Sequence, residues 1–457
     1  MATQTAVELT TIPSTAAPQV AGPIRGAATP AEGGGIEDTR DEANPPANKE
    51  LFDSYPENAW LQVLACSILF STTVGGTSAY GVFQDALVSA KVGESSTLSW
   101  VGSLQAALQS ITAIPNARIL AAYGPRNTAL LGALFASLGP LLAGWCTESV
   151  TGLMITEGIM FGYGRALMFT ACATLPSSYF LRRRNMATGI VYAGAGVGGA
   201  IFSIVGAQLL QRLSLPWTFR TMGLIYAALN FPCAMMLKGR APREPFRSGK
   251  KVFEWSLLKD SRLAILLLGT SISLFPLLVP PFFLPLYGTT MGLSTIASSC
   301  ILAGYNLASG LGRIAFGLTA DGALGSLNSL VLCLSLVGIS TLLIWPLATS
   351  LPPLIFFAVV NGICAGGMFS LIPGVLASVF GTTGLKTMFM MYATSGAPGY
   401  LLGSPIAGFL IQAYGGADKG YSAYRPAIFY SGALSMLSAG LVLTVRLRVS
   451  KELWKKL

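Results

Sequence analysis

The sequence predicts an all-α membrane protein with 12 transmembrane helices in two six-helix bundles. Three observations carry that expectation. Of 457 residues, 52% are hydrophobic and only 11% charged, against about 25% charged in soluble domains. Mean hydropathy is +0.61. Apolar runs near or above 20 residues recur from Trp60 onward, and about 20 apolar residues in helix cross a roughly 30 Å hydrocarbon core.

The expected spans of the first group are 60–84, 98–121, 126–146, 150–180, 186–211 and 216–238. Those of the second are 263–288, 295–318, 326–348, 352–378, 385–413 and 425–446. Between the groups lies KGRAPREPFRSGKKVFEWSLLKDSR, 238–262, the longest polar connection after the N-terminal segment. The organisation expected is therefore a tail at 1–55, a bundle at 56–238, a linker at 239–261, a bundle at 262–447 and a short tail at 448–457.

Residues 1–50 hold seven acids (Glu8, Glu32, Glu37, Asp38, Asp41, Glu42, Glu50) against three bases (Arg25, Arg40, Lys49). This stretch is rich in Pro, Ala, Gly and Thr without periodicity, which predicts disorder. It has no basic segment followed by an apolar core, so no cleaved targeting signal is read there.

Basic residues collect in the loops after even-numbered spans: Arg126, then Arg182 to Arg184, then the linker, then Lys386. Bases are held on the cytoplasmic side of short loops, which places both termini in the cytoplasm of a multi-pass protein, expected in the plasma membrane. Lys91, Arg212 and Lys419 are the exceptions on the other side. The net charge of +10 is thus a topology signal, and the RRR run reads as an anchor rather than a nucleic-acid patch.

Histidine is absent, which removes imidazole catalysis and histidine metal sites. Seven cysteines occur singly, with no C-x-x-C pair, as reduced packing residues do. No G-x-x-x-x-G-K-[ST] loop for ATP occurs. An enzyme, a cofactor, a metal and ATP are not expected.

The stretch GAGVGG at 194–199 matches the G-x-G-x-x-G pattern of dinucleotide sites. That site needs a strand before the motif and an acid about 20 residues on, yet no Asp or Glu occurs between Gly199 and Glu244. The motif lies in an apolar run with small residues at Gly189, Ala193, Gly194, Gly198 and Gly206. Small residues about four apart let membrane helices approach closely, so the run is read as a packing face.

YFLRRRNMATGIVYAGAGVGG after span four, together with YGVFQ (80–84), SWVGSLQ (99–105), AAYGPR (121–126), PPFFLPLY (280–287), GLGRIAFGLTAD (310–321) and LLGSPIAGFLI (401–411), resembles the fungal monocarboxylate-transporter-like branch of the major facilitator superfamily. Tyr179, Phe180, Arg183, Arg184, Ala187, Gly189, Ala193, Gly194 and Gly198 fit its signature. The resemblance covers about 55–447. It implies two pseudo-symmetric bundles rocking around a central substrate site. It also implies paired gating loops, with Arg118, Gly124 and Arg126 in the first and Asp321 and Gly325 in the second. Ala121 stands where an Asp is usual in the first loop.

A charge within a span costs about 2.5–3.5 kcal/mol on insertion scales, so it faces protein, a cavity or a partner. Arg313 matches the family arginine that binds a substrate carboxylate, with a structural arginine of the following loop as the other reading. Animal members have an aspartate where this chain has Ser309 and a lysine near Ser78. Arg165 either binds an anion or pairs with Glu157. Glu157 is the expected proton-coupling group. Tyr305, Asn306, Asn361 and Tyr392 are candidates to line the cavity beside them, as are Phe369 and the aromatics of PPFFLPLY, with plain packing as the other reading for each aromatic. Pro280, Pro281 and Pro285 predict a bend in span seven.

The function implied is secondary active or facilitative transport of a small organic solute. A monocarboxylate or other organic anion is the leading substrate; a fungal secondary metabolite exporter or riboflavin-type carrier is the alternative, and a transporter-like nutrient sensor ranks lower. The expected partners are that solute and the lipid bilayer, with no nucleic acid.

Overall fold

The computed structural model describes residues 58–173, 175–180, 184–239, 255–322, 324–381 and 385–450. Among these, twelve helical rods follow one another without a strand. In the first half they are α1 (Ala59–Ser89), α2 (95–123), α3 (125–143), α4 (150–173), α5 (Arg184–Arg212) and α6 (Leu215–Met236). In the second they are α7 (Ser261–Thr290), α8 (Thr295–Asp321), α9 (Ser326–Leu347), α10 (Leu351–Phe380), α11 (385–413) and α12 (Arg425–Val449).

Among the described residues, six stretches are long and apolar enough to cross a membrane by length and composition alone: α1, α7, α9, α10, Met186–Arg212 within α5 and Lys419–Val449 around α12. The others include α4, which carries Glu157 and Arg165, and α6, which carries Arg220 and Asn230. Their polar residues are mostly buried against other helices, where lipid does not set the cost.

Local chemistry places the breaks. Within the predicted span 150–180 the described helix runs to Ala173 and a further turn is described at Pro176–Tyr179; Pro176 has no N–H to donate to the preceding turn. In α7 the helix halts at Leu278 (φ −92, ψ −3). Pro280 and Pro281 follow and leave the carbonyls of Pro276 and Leu277 without a helical donor. Asp260 caps α7, its carboxylate accepting from the Arg262 amide at 2.9 Å and facing the guanidinium at 2.8 Å. Those Arg262 contacts hold the Asp260 carboxyl below its usual range.

α2 and α3 meet at Gly124 (φ 78, ψ 170), and Gly325 (φ 77, ψ 166) opens α9 after α8. The two predicted gating loops thus turn on glycines of almost one conformation, at matching places in the two halves. That region of backbone space is essentially reserved for glycine, at about 1–3 kcal/mol for other residues. Gly124→Ala and Gly325→Ala are each expected to lower stability by about that amount. Thermal unfolding in detergent checks this, and an unshifted midpoint for both would contradict it.

Within the first half, α3 packs on α4 and α6, and α5 on α1; within the second, α8 packs on α10 and α12 on α7 and α9. The halves meet along α5 with α8, α2 with α11, and α1 with α7. The signature pair anchors the first half. The Tyr179 hydroxyl donates to the Lys238 carbonyl at 2.7 Å, and the Phe180 ring lies 4.9 Å from that of Trp60. Arg183 lies outside the described residues, as does the side chain of Arg184 at the start of α5. Ala187 is fully buried.

GAGVGG packs two faces of α5, one more than expected from sequence. On one face, a Cβ at Gly194 would meet the Ser67 carbonyl of α1 at 2.5 Å, and one at Gly198 would overlap Ser71. The Ser71 hydroxyl donates to the Gly194 carbonyl at 2.7 Å. On the other face, a Cβ at Gly196 would meet Gly310 of α8 at 2.6 Å, and one at Gly199 the Asn306 amide at 2.7 Å. Gly189 has nothing within 4 Å of such a Cβ. All seven cysteines are free, five of them buried.

Candidate substrate-binding site

A cavity of about 60 Å³ lies between the halves, walled by α1, α2, α4, α5, α7, α8, α10 and α11. That volume holds only a few waters, so an organic solute enters only when the halves part.

The cavity brings together Arg165 of α4 and Arg313 of α8 with Tyr305 and Asn306. Arg165 is 4% exposed and Arg313 6%. Arg165 Nη1 donates to the Gln105 carbonyl at 2.9 Å, and Arg313 Nη1 to the Tyr192 carbonyl at 2.5 Å. The Arg313 guanidinium also sits 5.2 Å from the Phe369 ring centre, within cation–π range. Each arginine leaves a buried Nε without a partner, as does Nδ2 of Asn306. A buried donor without an acceptor costs about 1–3 kcal/mol. The wall therefore holds spare donors and two positive charges, and no carboxylate among its residues.

Ser78 and Ser309 line the same cavity. Sequence reasoning missed Gln109, Thr77, Tyr192 and Tyr400, which also line it. Gln109 Oε1 and Thr77 Oγ1 are buried without partners. The pair of amides one turn apart, Gln105 and Gln109, in the small-residue run of α2 was the available signal for Gln109; nothing in the sequence marked Tyr400. The rings of Phe70, Phe169 and Phe369 complete an apolar wall.

Glu157 is not among the lining residues. It lies on a π-helical stretch, Met154–Met160, a form that concentrates at functional sites. Among the described residues no ion pair joins it to Arg165. The link runs through Gln105, whose side chain donates to Glu157 Oε1 at 3.4 Å while its carbonyl accepts from Arg165. Glu157 Oε2 is buried without a partner.

Asn361 and Tyr392 do not line the central cavity. Asn361 faces a second space of about 20 Å³ inside the second half, its amide donating to Ser340 and Thr341 at 2.9 and 3.0 Å. Tyr392 packs against Phe389 at 5.9 Å between ring centres. Of PPFFLPLY, Pro281 reaches the central cavity, and Phe282, Phe283 and Tyr287 are buried in the core. Arg118 and Arg126 are exposed at the α2–α3 turn; the Asp321 side chain lies outside the described residues. Arg446, near the end of α12, is buried and donates to Asn328 beside the α8–α9 turn.

Two helical halves enclosing a mainly apolar cavity with two buried arginines at their interface define a membrane transporter for a small molecule. A profile of the Major Facilitator Superfamily matches residues 65–321, more than half of the chain, and the chain belongs to that family. It is 29% identical over 382 residues to the MFS-type transporter pynF of Aspergillus niger, covering 82% of this chain and 87% of pynF. It is 27% identical over 398 residues to the aspyridones efflux protein apdF of Emericella nidulans, covering 83% and 78%. The fold resembles a bacterial homologue of the human lysosomal transporter Spinster, solved inward-facing and unoccupied, with TM-score 0.66 and 13% identity over 88% of this chain and all of that one.

Proposed function

We propose that this transporter carries an amphipathic organic anion by alternating access, and that its working direction is export of an acidic secondary metabolite. The observation that carries the anion is the cavity wall, with two buried guanidinium groups, no carboxylate and several aromatic rings. A guanidinium fork holds two oxygens of a carboxylate or similar anion, and the rings bury the apolar remainder. Export is supported by the likeness to apdF, an efflux protein by name.

Membership of the monocarboxylate-transporter-like branch is supported by the anchoring of Tyr179 and Phe180 and the packing of Gly194 and Gly198. The basic loops support cytoplasmic termini, a plasma-membrane location suits an exporter, and the linker composition supports bundles at 56–238 and 262–447. Glu157 is our choice for proton coupling, acting on Arg165 through Gln105.

The test uses proteoliposomes holding the full chain and a panel of aromatic and alkyl carboxylates, each paired with its neutral amide, with flux read by mass spectrometry with and without a pH gradient. Carboxylates are expected to outpace their amides by at least about tenfold, as one charge-assisted hydrogen bond gained in the site provides. Equal flux of both partners in every pair overturns the anion reading.

A further inference from the structure

We propose that in the empty carrier the Tyr192 carbonyl occupies the place of a substrate oxygen on Arg313, so that an arriving anion displaces it and thereby unlatches the first half from the second. The proposal rests on the anion reading of the cavity and adds to it a means by which binding drives opening.

Both cavity arginines are held by a single backbone carbonyl, but the two carbonyls differ in origin. Gln105, which accepts from Arg165, belongs to the same half as Arg165; Tyr192, which accepts from Arg313, belongs to the opposite half. The Arg165 bond therefore positions a side chain, whereas the Arg313 bond ties α5 to α8. Its place along the helices reinforces this. Just beyond it, Gly196 and Gly310 bring the two backbones together with no side chain between them, so the helices can slide or part once the tie is released.

The exchange is favourable on chemical grounds. The carbonyl is neutral and takes one donor, leaving Arg313 Nε buried without a partner. A carboxylate is charged and takes two donors of the fork in parallel, the stronger arrangement. A ligand shifts a conformational balance only by its preference for one state. Here the preference is built in, because the closed cavity of about 60 Å³ has no room for an organic anion while the carbonyl sits on Arg313. Displacement and widening become one step.

Spin labels at Met186 and Leu318, exposed residues near the adjoining ends of α5 and α8, report the separation by double electron–electron resonance in the full chain in nanodiscs. The more accessible cysteines, Cys146 and Cys300, are replaced by serine. Without ligand, Arg313→Gln is expected to raise the ratio of long to short distances about tenfold, the weight of one charge-assisted hydrogen bond. Arg313→Lys, which keeps the positive charge but not the fork, is expected to fall between. Arg165→Gln is expected to leave the distribution in place, since its bond lies within one half. Benzoate is expected to shift the unsubstituted protein as Arg313→Gln does and to add nothing to that variant. Distributions identical in all variants overturn the latch, as does a shift toward shorter distances with benzoate. Loss of anion flux in Arg313→Gln with an unmoved distribution removes the latch and keeps the anion site. A moved distribution with anion flux intact keeps the latch and removes the anion site.

Discussion

Gly196→Ala is expected to suppress transport while the chain still reaches the membrane, and Gly199→Ala to do so more mildly. The added methyl of Gly196→Ala would lie 2.6 Å from the Asn306 carbonyl and from the Gly310 backbone. Backbone on a packed helix has no rotamer through which to yield, so α5 and α8 must separate. At Gly199 the nearest atom is the Asn306 side-chain amide at 2.7 Å, which can turn away at the cost of its place in the cavity. Overpacking costs about 1–3 kcal/mol, which biases the state with α5 against α8 by about 5- to 150-fold. A carrier that must visit that state in every cycle slows accordingly.

The neighbouring glycines give the contrast. Gly194→Ala and Gly198→Ala press on α1 inside the first half, so their cost is expected in thermal stability and abundance. Gly189→Ala meets nothing within 4 Å and is expected to be silent in both. Flux and unfolding midpoints measured side by side on the five variants check the assignment. Normal flux through Gly196→Ala would show that the interface tolerates a methyl and remove the reading.

The second large effect is expected at Arg165. Replacing it by Gln removes one of the two charges in the cavity and its bond to the Gln105 carbonyl. Hydrogen bonds to charged groups contribute about 1.5–3 kcal/mol, so the apparent affinity for a transported anion should fall about 10- to 150-fold. Arg165→Lys keeps the charge but not the fork and should recover part of that loss. The concentration dependence of anion uptake is the measurement, and an unchanged half-saturation concentration in Arg165→Gln would take Arg165 out of the site.

How much of this was legible beforehand differs from residue to residue. Arg165 and Arg313 were visible because a charge in an apolar run is costly and needs a reason. Glu157 was visible on the same ground, but its distance from the cavity wall was not, since the link through Gln105 depends on how α2 packs on α4. Asn361 and Tyr392 looked alike in sequence to Asn306 and Tyr305, being polar or aromatic groups on apolar helices. Rotation about the helix axis alone decides which of such residues meets the cavity, and packing sets that rotation. Tyr400 and Gln109 were missed for the same reason.

Composition and hydropathy were enough to determine an all-helical membrane chain, because lipid satisfies no backbone group, which leaves helices or closed barrels, and apolar runs near 20 residues match the length of a spanning helix rather than a strand. The signature around Tyr179, Phe180 and GAGVGG was enough to point to a transporter family, because each of those residues answers a local constraint. Only the tertiary structure decided that the same six residues serve two interfaces, Gly194 and Gly198 toward α1 and Gly196 and Gly199 toward α8, and that Arg313 reaches across to Tyr192. Helical periodicity shows which residues share a face of α5, but which neighbour covers each face depends on contacts between chain segments more than 100 residues apart.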